Sequence, residues 1–195
     1  MSNVLYHFEN GVGYGRLTDG TTFLFDEALF ERIRDTKWYA CTNSKTGAVY
    51  ITSQRGETLH RRLLDCAPGC EIDHINLNTL DNRSCNLRIC THQQNQCNQP
   101  LQKNNTSGVS GVSYYPPRQK FRARIKVSQL DIHLGYYSTM LEAVQARNVG
   151  MECMYGEYGR YNDVPDAPAW IREKVIEKCK RFADLSICKA FSVAQ

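Results

Sequence analysis

CEIDHINLNTLDNRSCNLRICTHQQNQCN, residues 70–98, holds six asparagines, at 76, 78, 82, 86, 95 and 98, beside the only Asp-His dipeptide of the chain. Asparagine favours neither helix nor strand, so a cluster of this kind needs a local reason. The pattern reads as a small unit. CEIDHI is a strand, NLNTLDNRS a turn-rich loop, NLRIC a second strand. THQQNQCN opens a short helix through a capping box, Thr91 with Gln94, and that helix must stop before Pro100. Neighbouring residues on a strand point to opposite faces, so Asp73 and His74 can divide the work. The carboxylate suits a hard cation such as Mg²⁺, with Asn95 in the following helix as a second oxygen donor. A neutral imidazole can take a proton from water near neutral pH. Asn86, at the start of the second strand and opposite His74, is placed to hold the strand and orient the ring. Such a site supports metal-assisted hydrolysis of a phosphodiester.

The run DHINLNTLDNRSCNLRICTHQQNQ resembles the HNH endonucleases of the ββα-metal type, closest to the phage and intron-associated homing and nicking enzymes. Their pattern is matched here by Asp73-His74, Asn86-Leu87-Arg88 and Asn95, at separations of 13 and 9 residues. The preceding LHRRLL is similar to the Leu-His-Arg helix of the same enzymes. The resemblance covers about residues 58–99. It implies that Asp73 and Asn95 bind one divalent ion, Mg²⁺ or another such as Mn²⁺. It also implies that His74 is the general base, that Asn86 orients it, and that Leu87 is core. Arg83 and Arg88 are candidates to support the phosphate. Asn76, Asn78 and Asn82 suit the tight loop. His60 and His92 read as packing or helix-end residues, with assistance to the site as the alternative role of His60. Cys66, Cys70, Cys85, Cys90 and Cys97 raise a structural Zn²⁺ as an option. Their spacings of 4, 15, 5 and 7 contain no Cys-x-x-Cys pair, so zinc is not expected.

Upstream, residues 1–57 read as a β-rich region. Asp19-Gly20 marks a hairpin turn, and EALFERIRD has a short helical pattern with Leu29, Phe30 and Ile33 inward. KWYACT and AVYIT read as two strands, with Trp38 and Tyr39 in or near the core.

Downstream, a polar linker (101–106) leads to a segment, 107–162, with seven Lys/Arg against four Asp/Glu, a balance of 7 − 4 = +3 within a chain of net charge +4. That local positive field points to a polyanionic partner. FRARIKV alternates strictly, so Phe121, Ala123, Ile125 and Val127 face one way and Arg122, Arg124 and Lys126 the other. The apolar set would meet a helix running from its Thr139–Glu142 capping box to about Tyr155, along the small stripe Ala143, Ala146, Gly150 and Cys153. The basic set, extended by Arg118, Lys120 and Tyr115, would face DNA, where arginines read guanine edges and other cations hold phosphates. GVSYY, FRARI, HLGYYST, EAVQARN and YGEYGRYN together resemble an AP2-type DNA-binding domain. The SQLD turn departs from that family by lacking the usual glycine. A tail, 163–195, carries a helix from about Trp170 to Leu185.

The expected class is α+β: a ββα-metal core with an N-terminal β-rich region (1–57) and a core at 58–100, then an AP2-like three-stranded sheet with a helix, then a C-terminal helix. The implied activity is metal-dependent, site-specific cleavage of double-stranded DNA of the homing or nicking kind. An AP2-type DNA-binding regulator with an inactive nuclease core is the alternative. Of 195 residues, 42% are hydrophobic, enough for a core, and no apolar run reaches the ~20 residues of a membrane helix. The N-terminus lacks the charged and apolar regions of a signal peptide. Nine cysteines, an odd number without a secreted framework, suit free thiols. The expectation is a cytoplasmic, phage-encoded protein with no membrane partner, a monomer or weak homodimer.

Overall fold

The computed structural model describes residues 3–98, 105 and 107–186. All but one residue of the linker expected at 101–106, and the last residues of the tail, fall outside these. The chain divides into two compact units, residues 1–95 and 96–195, so the N-terminal strands share a unit with the Asn-rich segment. Small antiparallel sheets with a few helices make up both, in keeping with an α+β class.

The first unit opens with a three-stranded sheet, β1 (Val4–Glu9), β2 (Val12–Leu17) and β3 (Thr22–Asp26), in sequence order. Gly13 and Gly15 on β2 lie under the rings of Phe25 and Phe23. A Cβ at either position would come within 2.3 Å or 2.2 Å of a ring carbon, so only glycine admits these buried phenylalanines. The helical pattern after β3 is realised as a 3-10 turn, Glu27–Arg32, which delivers fully buried Ile33. β4 (Trp38–Thr42) and β5 (Val49–Ser53) form a ribbon. Trp38 is buried and its indole N–H donates to the Ile33 carbonyl at 3.0 Å. Tyr39, expected near the core, is instead 44% exposed. It follows Trp38 on a strand and so must face the other way.

Then comes α1 (Leu59–Leu63), whose Leu59 and Leu63 enter the same core. β6 (Glu71–His74) and β7 (Leu87–Cys90) pair antiparallel, with Asp73 opposite Arg88 and His74 opposite Leu87. α2 (His92–Asn95) starts with the expected box: Gln94 N donates to Thr91 Oγ1 at 3.2 Å, and Thr91 N to Gln94 Oε1 at 2.7 Å.

The second unit is a sheet covered on one side by helices. β8 (Val112–Tyr115), β9 (Lys120–Val127) and β10 (Leu130–Tyr137) lie in the order β10-β9-β8. The alternation of FRARIKV is kept: Ala123, Ile125 and Val127 are buried while Arg124 and Lys126 are exposed. The β9–β10 turn without glycine places Ser128 (φ 46°) and Gln129 (φ 69°) in the left-handed region, the geometry of a tight two-residue hairpin. α3 (Met140–Tyr155) lies on the sheet through its small stripe. A Cβ on Gly150 would stand 2.6 Å from a Leu134 methyl, which shows how near the helix backbone comes. α4 (Ala169–Lys180) is shorter than the helix expected to Leu185. It ends in a separate 3-10 turn, Ala183–Leu185, and inserts Ile171, Val175 and Cys179 into the core.

The α3 cap is complete: Glu142 N donates to Thr139 Oγ1 at 3.2 Å, and Thr139 N to Glu142 Oε2 at 3.0 Å. Thr139→Ala should lower the stability of the second unit by about 0.5–2 kcal/mol, read as a denaturant midpoint at unchanged slope.

Candidate active site

The loop between β6 and β7 is built from side-chain-to-backbone bonds, and these explain most of its asparagines. Asn78 N donates to Asn76 Oδ1 at 2.7 Å and Leu80 N to Asn78 Oδ1 at 3.1 Å, successive turns of the kind that asparagine supports. The loop is then fastened to the N-terminal strands. Leu24 N donates to the Leu80 carbonyl and Asn82 N to the Leu24 carbonyl, both at 2.8 Å. Ser84 N reaches Asp26 Oδ2 at 2.7 Å, and the Ser84 hydroxyl donates to the same oxygen. Thr79 Oγ1 donates to the Val49 carbonyl at 2.5 Å.

Asp73 and His74, at the end of β6, are both buried. The His74 ring is surrounded by its own hydrogen-bond partner and by two aromatic neighbours. Its Nε2 lies 3.2 Å from Asn82 Oδ1. With the amide oxygen turned to the ring, Nε2 donates to it and Nδ1 is the acceptor nitrogen. The His60 ring meets it edge-on, centroids 5.0 Å apart at 90°, and the Tyr50 ring stands 6.2 Å away. Burial holds the His74 pKa below its ordinary value, against the opposing pull of Asn82, Asp73 and Asp81. The ring is therefore neutral at pH 7, the form a general base needs. Burial, with His74 next to it, drives His60 down to about 3. Burial also raises Tyr50, helped by the charge of Asp73.

Asp73 meets Arg88 across the ladder: Nε at 2.9 Å and Nη2 at 2.5 Å converge on Oδ2. Glu71, two residues earlier and on the same face, takes the amide nitrogen of Asn95 at 2.7 Å and His92 Nδ1 at 2.7 Å. These bonds, Asn95 first, hold the Glu71 pKa below the usual carboxylate range. The capped helix thus sets Asn95 beside the acidic face of β6. Asn86 occupies a 3-10 turn just before β7. Its Oδ1 accepts from Asn76 N at 2.9 Å and its Nδ2 donates to the Asp81 carbonyl at 2.7 Å, so it braces the loop. His74 Nε2 pairs with Asn82, an asparagine that the sequence alone assigns only to the loop. Arg83 grips buried Asp81 through two bonds, of 2.8 Å and 2.7 Å. The pair raises the arginine pKa and lowers that of the acid.

Asp73, Asn95 and Glu71 are oxygen donors of the type Mg²⁺ takes, one or two at a time with water filling the remaining positions. Among the described residues no group of three or more His, Cys, Asp or Glu side chains forms a metal cage, and the described cysteines are free thiols. No described helix is long and apolar enough to cross a membrane.

The candidate DNA-facing residues gather on the open side of the second unit's sheet. The Arg118 guanidinium lies 4.6 Å over the Tyr136 ring and that of Arg122 5.4 Å over Tyr115. Arg124 faces Asp131 at 3.8 Å, while Lys120 and Lys126 are exposed. Arg122 Nε is buried and has no hydrogen-bond partner among the described residues.

His60 gives a test of this packing. Its folded pKa lies below the ordinary 6.5, so the unfolded chain binds the extra proton between about pH 6.5 and pH 3. Stability should therefore fall as the pH drops through that window, by up to ~1.4 kcal/mol per pH unit for this group. In His60→Gln the pH series of denaturant midpoints should flatten by about one proton's worth of slope. An unchanged slope would mean the ring is solvated.

Residues 66–97 match the family model described as HNH endonuclease. Over 93 residues the chain is 29% identical to an "Uncharacterized HNH endonuclease L560" of Acanthamoeba polyphaga mimivirus, covering 48% of this chain and 47% of that one. Over 57 residues it is 37% identical to "Protein 3.8" of Escherichia phage T7, covering 29% of this chain and 47% of that one. The chain thus spans about half the length of the curated relatives it matches. No solved structure matches it. The segment that matches the endonuclease model is the one that carries Asp73, His74, Asn86 and Asn95, so the similarity supports a nuclease.

Proposed function

We propose that this chain is a metal-dependent, site-specific endonuclease of the homing or nicking kind, hydrolysing phosphodiester bonds of double-stranded DNA. The observation that carries the reading is the buried His74, its Nε2 beside Asn82 and Asp73 next to it on the strand, within a segment matching HNH endonucleases. A Mg²⁺ or Mn²⁺ ion held by Asp73 and Asn95 would supply charge stabilisation for the phosphate and the departing oxygen. His74 Nδ1 removes a proton from the attacking water as the new O–P bond forms and the bond to the leaving oxygen breaks. Asn82 keeps the proton on Nε2 through this step, and Asn86 keeps the loop that carries Asn82 in place. Arg88, already at the rim of the site, is the candidate to turn from Asp73 toward the phosphate. Arg83 is the second candidate, from its position beside Asp81. The AP2-like sheet supplies site preference through Arg122, Arg124 and Lys126, with Arg118, Lys120 and Tyr115 extending the face.

One observation favours the second reading, a DNA-binding regulator with an inactive core: the Asp73 carboxylate is engaged by Arg88, which competes with a cation. Supercoiled plasmid incubated with Mg²⁺, and again with EDTA, separates the two.

His74→Ala should lower the cleavage rate by a factor on the order of 10²–10⁴ and leave duplex binding in place, because the ring acts on water. A variant that cuts at the wild-type rate would remove His74 from this role. Replacing Arg122, Arg124 and Lys126 together with Ala should weaken site preference. It should also reduce the slope of log K against log salt by about 0.9 for each phosphate no longer neutralised. An unchanged slope would identify these side chains as a merely solvated face.

A further inference from the structure

α4 does more than close the core. Its positions 170, 174 and 178 follow one another at single-turn spacing and so lie on one face. Lys174 and Lys178 stand there, and both reach the edge strand β10. With Arg118, Lys120, His133 and Tyr136 they line a pocket of about 670 Å³ in which no acidic residue takes part. Among the described residues, none of the four cations forms an ion pair. We propose that this pocket is a phosphate-binding site contributed jointly by the C-terminal helix and the sheet, and that it takes a backbone phosphate of DNA flanking the stretch read by β9.

A purely structural explanation covers part of what is seen. β10 carries a register shift between His133 and Gly135, and Lys178 Nζ reaches the carbonyls of Leu134 at 3.0 Å and His133 at 3.5 Å. A lysine so placed protects a sheet edge. Lys174 likewise covers the rings of Tyr137 at 4.8 Å and Trp170 at 5.9 Å. Neither contact explains why four cations without an acidic partner, from the turn before β9, from β9 and from α4, converge on one concavity. Like charges brought together raise the energy of the folded chain, and an anion between them reverses the sign. The field is felt by the ring in their midst: burial, then Lys178, Arg122, Arg118 and Lys174, hold His133 below its ordinary pKa. The ligand chemistry follows from the donors. Ammonium and guanidinium groups without a base-shaped cleft suit a phosphate, and the neighbouring basic face makes DNA its source.

This inference rests on the DNA-binding reading above, and the test separates the two. Duplex affinity is measured against salt for the full chain, for Lys174→Gln, and for Lys174→Gln with Lys178→Gln. The expected result is a slope lowered in the single variant and lowered further, by up to about 0.9 in all for the one phosphate, in the double, equal on cognate and unrelated duplexes. Lys174 reaches aromatic rings, not backbone carbonyls, so the single variant tests the site even if the double variant loosens α4. A wild-type slope in the single variant with salt-dependent wild-type binding, and no saturable binding of inorganic phosphate, would overturn the pocket and leave the DNA reading standing. Absence of duplex binding by the wild-type chain would overturn both. Weakening on the cognate duplex alone would make Lys174 a base reader and overturn the phosphate assignment. Saturable binding of inorganic phosphate with no effect of the variants on duplex affinity would place the source in free phosphate and overturn the DNA assignment.

Discussion

Two backbone hydrogen bonds to Leu24 hold the candidate catalytic centre together. Leu24 donates to Leu80 and accepts from Asn82, so a strand of the N-terminal sheet grips the β6–β7 loop on both sides of Asp81. That grip fixes the residue whose side chain meets the His74 ring. A loop closed only by its own turns would sample several conformations, and an Asn at its tip would not hold a proton on one ring nitrogen. The N-terminal strands are therefore part of the site, although none of their side chains has a chemical role in it. The glycines of β2 matter for the same reason. They let the rings of Phe23 and Phe25 settle over β2, while β3, at the edge of its sheet, offers the backbone of Leu24 to the loop.

Burial sets the protonation of the centre. His74, His60 and Tyr50 stack edge to face, and each is kept in its neutral form by removal from water. Two imidazoles 5.0 Å apart also oppose each other's protonation. The acids sit differently, each with an arginine: Asp73 with Arg88 and Asp81 with Arg83. Both carboxylates are buried while their arginines reach toward the surface, Arg83 further than Arg88. The Asp81 pair has a purely architectural place, holding the loop. The Asp73 pair is where the proposed function puts a cation, and on that reading a carboxylate that took one would free Arg88.

The sequence made the elements of this site legible because each rested on a local rule. Strand alternation put Asp73 and His74 on opposite faces, and the Thr91–Gln94 box placed the start of the helix that carries Asn95. The Thr139–Glu142 box and the small-residue stripe did the same for α3. What escaped depends on contacts between distant segments. Asn82 reads like any loop asparagine until β3 positions it, and Asn86 reads as the ring's partner because it directly precedes β7. Tyr50 lies in a separate ribbon, distant in sequence, and carries no motif at all. Glu71 had a readable signal, since it shares a strand face with Asp73 two positions on, but only the position of α2 shows that it meets Asn95. Tyr39 fails for the opposite reason: its apolar neighbour Trp38 makes the pair look like core, whereas strand geometry sends adjacent side chains apart.

The second unit applies that same period of two to opposite ends. One strand, β9, gives its even positions to charge and its odd positions to the core. The stability of the sheet and the composition of its open face can then vary independently, because a change from Arg to another polar residue leaves Ile125 and Val127 where they are. The aromatic rings give the charges direction. Tyr115 and Tyr136, 5.2 Å apart, carry the guanidinium groups of Arg122 and Arg118 on their faces, so two flexible side chains lose some of their freedom before any ligand arrives. The helix α4 follows the same arrangement on its own period. Ile171, Val175 and Cys179 are its core face, and Lys174 and Lys178 fall on the adjacent one, carried round the edge of β10 by the contacts that bury their neighbours.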